Sequence, residues 1–391
     1  MFAVFDPARK VLIRVFALFT VLAVAACEPV ALGGGGPSIN TDKPVPVALL
    51  VPAGSGQAGD NALAQSLENA ARLAIADLEG VKIDLRVYAT AGNSTTAANV
   101  AGEAVKDGAK VILGPVFSES AQAAGAVAAS RGVNVLAFSN NTTIAGGNVF
   151  VLGSTFQNTA SRLVNYSASQ GRTNMLVLHA NNLSGQIGKQ AIDSAISRRG
   201  IGNAGSVAYE FSQNGVVQAV ATVRDSVRDS GANAIFMDAD TSGALPLFQQ
   251  LLPEAGVDKE EVRFIGLTRW DIPSQTLALP GVQEGWFALP DPNMTAAYQA
   301  RYQSAYGESP HPISGLAYDG IAAIGALVKA GHSDALTVGA LTQGAGFQGV
   351  NGIFRLRPDG TNERGLAVAT VRDKQVVVID PAPRSFGGPG F

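Results

Sequence analysis

The chain has 391 residues, 28 Lys and Arg against 31 Asp and Glu, a formal charge of −3 and a hydrophobic content of 47%, enough for a large core. A mildly acidic chain with no basic run is not built to bind nucleic acid. Its single cysteine, Cys27, leaves no disulfide and no Cys-based metal or redox centre.

In chain order, the first segment reads as an export signal. Arg9, Lys10 and Arg14 are basic, and Val15 to Ala26 is uncharged and mostly apolar but too short to span a bilayer. It ends in Val24-Ala25-Ala26-Cys27, which resembles the lipobox of bacterial lipoproteins, with Val24 in place of the commoner Leu. That resemblance implies a signal peptide over residues 1–26, lipidation of Cys27, and attachment to a membrane through the lipid alone. The alternative is a soluble secreted protein cut near Ala26. Glu28 resembles an outer-membrane sorting pattern of some Gram-negative bacteria, so a periplasmic location at that membrane is expected. Residues 27–44, with Gly33-Gly34-Gly35-Gly36-Pro37, read as a flexible tether.

An alternation of strands and helices follows. Val45 to Pro52 is a strand, and Leu63, Leu67, Ala70, Ala74 and Leu78 lie at helical spacing within Asn61 to Glu79. Val81 to Val87 alternates as a strand with one wetter face, and Ser94 to Gly108 is a helix. Val111-Ile112-Leu113 and Val133 to Phe138 are apolar runs suited to parallel strands buried on both faces. The first breaks at Gly114 to Ser118 and the second at Ser139-Asn140-Asn141-Thr142, loops of hydroxyl, amide and free N–H groups. Parallel sheets bind ligands at the carboxyl ends of their strands, where helix N-termini favour anions. These loops are therefore expected to form half of a binding cleft.

After a strand at Val149 to Gly153, Ser154-Thr155-Phe156-Gln157 fits a capping box with Gln157 at its third helical position. A second series begins, with strands near 175–179, 207–211, 234–237 and 264–267 and helices near 184–199, 216–230 and 243–254. Helices near 294–306 and 314–330 and a closing meander over 352–380, with turns at Asp359-Gly360 and Asp373-Lys374, complete the pattern. Two such series imply two lobes, and Pro381 to Phe391 reads as an unstructured tail.

Catalytic signals are weak. Gly54-Ser55-Gly56-Gln57-Ala58-Gly59 matches a dinucleotide-binding glycine pattern, but Val87-Tyr88-Ala89-Thr90-Ala91 lacks the acidic residue such a site needs. A glycine loop over a cleft mouth is the better reading. His179, His311 and His332 have no metal spacing, and no Ser lies in a hydrolase or transpeptidase motif. The expectation is a non-enzymatic protein without cofactor or metal.

From Val45 to Asp380 the chain resembles the type I periplasmic binding proteins of the Leu/Ile/Val-binding branch. The matching pieces are Val47 to Pro52 before glycines and a helix, Val111-Ile112-Leu113-Gly114-Pro115, Val133 to Ser139, and Ala317-Tyr318-Asp319-Gly320 opening a late helix. The resemblance implies an α/β fold of two lobes, each a mainly parallel sheet flanked by helices, joined by three hinge crossovers near Gly153, Gln283 and Phe347. It places residues 45–153 and 284–346 in lobe one, and 154–283 and 347–380 in lobe two. It also implies that Phe117, Ser118, Ser139, Asn140 and Thr142 hold a ligand carboxylate, while His179, Asn181, Asp238, Asp240 and Trp270 are candidates to receive an amino group. Ser118 and Asn141, and likewise Asp238 and Asp240, could instead cap helices. Receptors of this type serve ABC permeases, commonly for amino acids. One departure is Ala89-Thr90-Ala91-Gly92-Asn93, where those receptors carry an acid-rich segment. The stretch from Ala137 to Gly153 looks closer to lipoproteins resembling penicillin-binding protein activators, which contact a peptidoglycan synthase.

Overall fold

Two parallel sheets follow from the two series of apolar runs. The structure, a computed structural model, describes residues 36–241 and 243–387. The export signal, Cys27 and the first part of the tether lie outside the described residues, as do residues 388–391.

The first sheet contains β1 (Val45–Val51), β2 (Ile83–Ala89), β3 (Val111–Leu113), β4 (Asn134–Ala137) and β5 (Val149–Val151), in the order β2-β1-β3-β4-β5 with every pairing parallel. Its central strands are buried on both faces, which explains their largely apolar composition, Asn134 alone being polar and donating to Leu336 O. On one face pack α1 (Ala58–Ala76), α8 (Pro292–Tyr306) and α9 (Gly315–Lys329), through Leu67, Ala70, Tyr302 and Ile321. On the other lie α2 (Ser94–Lys106) and α3 (Ser118–Ala129), whose Ala101, Ala104, Ala121 and Ala124 allow close approach.

The second sheet contains β6 (Asn174–Ala180), β7 (Gly202–Tyr209), β8 (Ala234–Met237), β9 (Arg263–Gly266), β10 (Trp286–Leu289), β14 (Ala367–Arg372) and β15 (Gln375–Asp380). Its order is β15-β14-β10-β9-β8-β6-β7, parallel except for the last two strands in sequence. Helices α4 (Phe156–Ser169) and α5 (Leu183–Arg199) cover one face, and α6 (Gln213–Ser230) and α7 (Ala244–Glu254) the other. A short helix α10 (Val338–Leu341) and a three-stranded antiparallel sheet, β11 (Phe347–Gly349), β12 (Gly352–Leu356) and β13 (Asn362–Arg364), complete the chain.

Two of the three passages between the sheets depart from the expected positions, the first lying at Gly153. The chain leaves the first sheet after Val151 and starts α4 at Phe156. It does not return near Gln283, because β10 pairs with β9 and β14; it returns after Leu289. Nor does it cross at Phe347, since Phe347, Phe354 and Leu356 belong to the first lobe's core, and the third passage follows Arg364.

Three further corrections concern local structure. Residues 36–44 are not a free tether: Ile39 is 7% exposed, and its N–H donates to Ser333 O at 2.8 Å. The C-terminal stretch is fixed at least to Phe386, with Ala382 in the second lobe's core and the Phe386 ring under the Arg355 guanidinium. The capping box of α4 uses Thr155 as N-cap and Asn158, not Gln157, as its partner, each side chain bonding the other residue's N–H. Thr155→Ala should therefore lower the unfolding free energy by about 1 kcal/mol, read by urea denaturation.

Candidate ligand-binding cleft

The carboxyl ends of the first sheet's strands gather three loops at one place. Gly92 has a φ of +66°, and a Cβ there would stand 3.2 Å from Ser55 Cβ and 3.5 Å from Phe117 Cε2. The turns after β1, β2 and β3 thus converge on a residue that has to be small. The glycine loop after β1 is closed by its own chain, with Gly54 N–H donating to Asn61 Oδ1.

Beside them, Ser118 opens α3, and its hydroxyl lies 3.0 Å from Ser139 Oγ at the end of β4. Ser139 is 5% exposed and also accepts from Asn141 N–H at 3.1 Å. Asn141 caps the following turn by accepting from Thr143 N–H at 2.9 Å. Asn140 and Thr142 are exposed, and Phe117 is 39% exposed. The expected lobe-one residues are therefore brought together, with the two hydroxyls already bonded to each other.

The lobe-two candidates divide. Asp238 follows β8 and accepts Ala180 N–H through both carboxylate oxygens at 3.1 Å. Burial pushes its carboxyl above the ordinary value, opposed by that N–H and by His179. The Tyr209 hydroxyl donates to Asp238 Oδ1 at 3.4 Å and is itself pushed up, first by burial and then by the Asp238 and Asp240 charges. His179 is buried with Nδ1 against Ala180 O, Asn181 donates to Glu210, and Asp240 accepts from Gly243 N–H near the start of α7.

Trp270 is not part of the cleft. It is 0% exposed, stacks on Phe287 at 6.2 Å, and sits where Cβ atoms on Gly266 or Gly285 would each approach it to 2.1 Å. Two glycines open a slot into which the indole turns, away from the loop ends.

Sequence reasoning missed an apolar component. A cavity of about 580 Å³ runs from Asn140–Thr143 to Phe156, Gln157, Leu183, Ser184 and Ile187 at the start of α5. Leu183 is 74% and Ile187 41% exposed, one turn apart. Phe211 after β7 and Ile272 after β9 are also exposed, at 59% and 53%. Of these, Leu183 and Ile187 line the cavity, while Phe211 lines a separate one with Tyr209, Val216 and Leu247. Scattered ones need no explanation, but a cluster facing a cleft marks a binding surface. The available signal was apolar residues at positions 183 and 187, on the first turns of a helix that otherwise starts polar.

Among the described residues, no group of His, Cys, Asp and Glu could hold a metal, and no helix is long and apolar enough to cross a membrane. Two mainly parallel sheets flanked by helices and joined by three passages of chain define the two-lobed architecture of a type I periplasmic binding protein. The chain belongs to the periplasmic binding protein family, whose sequence model matches residues 44–375. No curated protein matches the sequence.

Solved structures share the fold at low identity. A Burkholderia xenovorans branched-chain amino acid ABC transporter periplasmic ligand-binding protein is 18% identical, with a TM-score of 0.63 over 88% of this chain and 97% of its own. A Desulfitobacterium hafniense ABC transporter substrate-binding protein in complex with Leu is 18% identical, with a TM-score of 0.61 over 86% and 100%. A Rhodopseudomonas palustris solute-binding protein in complex with 3,4-dihydroxybenzoic acid is 18% identical, with a TM-score of 0.56 over 86% and 96%.

Proposed function

We propose that this chain is a non-catalytic periplasmic receptor whose lobes close over a small carboxylate, most simply an amino acid, for import by an ABC permease. The observations that support this reading are the paired Ser118 and Ser139 hydroxyls next to exposed Phe117, and the cavity that joins Asn140–Thr143 to exposed Leu183 and Ile187. The hydroxyls and the first N–H groups of α3 suit a carboxylate, and the apolar side chains suit its body. Leu and 3,4-dihydroxybenzoic acid, bound by proteins of the same fold, share that design. Hinge closure hides the apolar surface and makes the closed form the one a permease reads. Cys27 carries the lipid that holds the domain at a membrane, in our reading the outer one.

Loss of one hydroxyl bonded to a ligand carboxylate removes about 1.5–3 kcal/mol, so Ser139→Ala should weaken binding at least about tenfold. Calorimetric titration of the variant beside the parent checks this.

A second reading has its own support. Asp238, Glu210 and Asp240 each already accept a hydrogen bond within lobe two, which favours a reading with no ammonium partner on that side. Phe211 and Ile272 at the rim would then serve protein contact, as in an activator of a peptidoglycan synthase. A thermal-shift screen of amino acids, aromatic acids and cell-wall fragments separates the two. Saturable stabilisation by one small molecule supports the receptor; no shift, together with direct binding to a purified synthase, supports the activator.

A further inference from the structure

We propose that the pole of the first lobe opposite the cleft docks on an anionic phospholipid surface. In a parallel sheet every strand starts at the same end. Lys43, Lys82 and Lys110 stand just before β1, β2 and β3, Arg131 stands before β4, and Lys106 ends α2. The topology therefore gathers these cations at one pole. Lys106, Lys110 and Arg131 line a groove of about 450 Å³ together with Pro37, and Lys43 and Lys110 line an adjoining one of about 430 Å³.

None of these side chains forms an ion pair among the described residues. The other cations of this lobe behave differently: Arg72, Arg86, Arg301 and Lys329 pair with Glu68, Asp84, Asp77 and Glu79. The remaining nearby carboxylates are Asp42, Glu103, Asp107 and Asp334, and Asp107 already accepts the Tyr88 hydroxyl. Val105, Val127 and Val133 wall the groove, an apolar support for lysine stems whose ammonium groups reach outward.

The choice of occupant comes from where the chain enters. Pro37 lies in this groove, and the residues before it, which hold the export signal and Cys27, join the domain there. The occupant thus rests on the proposed membrane attachment. A lipid surface facing this pole offers phosphates to the unpaired cations and leaves the cleft, at the other end of the sheet, pointing away.

The test is vesicle flotation of residues 28–391, a segment that contains both sheets and all the hydrophobic clusters described above. It carries no lipid, so binding depends on the pole alone. Phosphatidylcholine vesicles with and without phosphatidylglycerol are the probes. The segment should float only with the anionic vesicles and be released by high salt. Each neutralised cation should weaken partition about fivefold, and Lys43→Gln, Lys110→Gln and Arg131→Gln together roughly a hundredfold. The charge-matched control Arg199→Gln, Lys374→Gln and Arg384→Gln should float as the parent does. No flotation of the parent, salt-independent flotation, or equal losses in both triple variants would overturn the proposal. Mass analysis of the Cys27 peptide from cells tests the anchor separately, so the two ideas fail independently.

Discussion

Asp319→Ala should lower the unfolding free energy by about 3–5 kcal/mol, the range for removing one partner of a buried ion pair. Asp319 is 0% exposed on α9, and Arg364, 7% exposed, meets its Oδ2 at 3.0 Å. Burial pushes the Asp319 carboxyl up, and the guanidinium opposes that shift. The pair is tied into the passages between lobes. Arg364 Nε also donates to Leu152 O at 2.9 Å, and Asn362 donates to Val151 O and Gly153 O. Val350 N–H donates to Asp319 Oδ1 at 2.8 Å. Without the carboxylate, the guanidinium remains buried with the Leu152 carbonyl and the Phe354 ring as partners and no counter-charge. Urea denaturation measures the loss. The double variant Asp319→Ala, Arg364→Met should lose less than the sum of the single ones, because its second change removes the stranded charge. Additive losses would mean that the two groups do not act on each other.

Trp270→Ala is the second large effect, about 3–5 kcal/mol of stability, as for other buried aromatic truncations. The indole fills the slot between Gly266 and Gly285, so its truncation leaves a large buried void. Ligand affinity measured below the unfolding transition should stay within about twofold, since the ring lies in the core. Ser139→Ala should do the reverse, weakening binding with little change in stability. If Trp270→Ala instead abolished binding in a folded protein, the ring would have to reach the cleft in the closed form.

The signals legible in the sequence are local ones. The apolar runs at Val111–Leu113 and Val135–Ala137 announced buried parallel strands because burial on both faces disfavours polar side chains, and the buried Asn134 before the second run is satisfied by Leu336 O. The loops that follow them were legible for the same reason, as strand ends in a parallel sheet. The membership of Trp286–Leu289 was not legible, since an apolar tetrapeptide fits either sheet and only its pairing with Arg263–Gly266 and Ala367–Arg372 decides. Ile39 was hidden by distance, as its backbone partner Ser333 lies far along the chain. Trp270 misled because it follows a strand, where cleft residues usually lie. The two glycines that receive it, Gly266 and Gly285, lie on either side of it in sequence, and neither alone predicts a slot.

The central claim is that the lobes close over a small carboxylate. Small-angle X-ray scattering of the domain, with and without the compound that gives the largest thermal shift, tests it most directly. The account predicts a saturable decrease in radius of gyration for the parent, shifted to higher ligand concentration by Ser139→Ala. An unchanged radius at saturating ligand would contradict closure and leave a rigid binding or contact protein in its place.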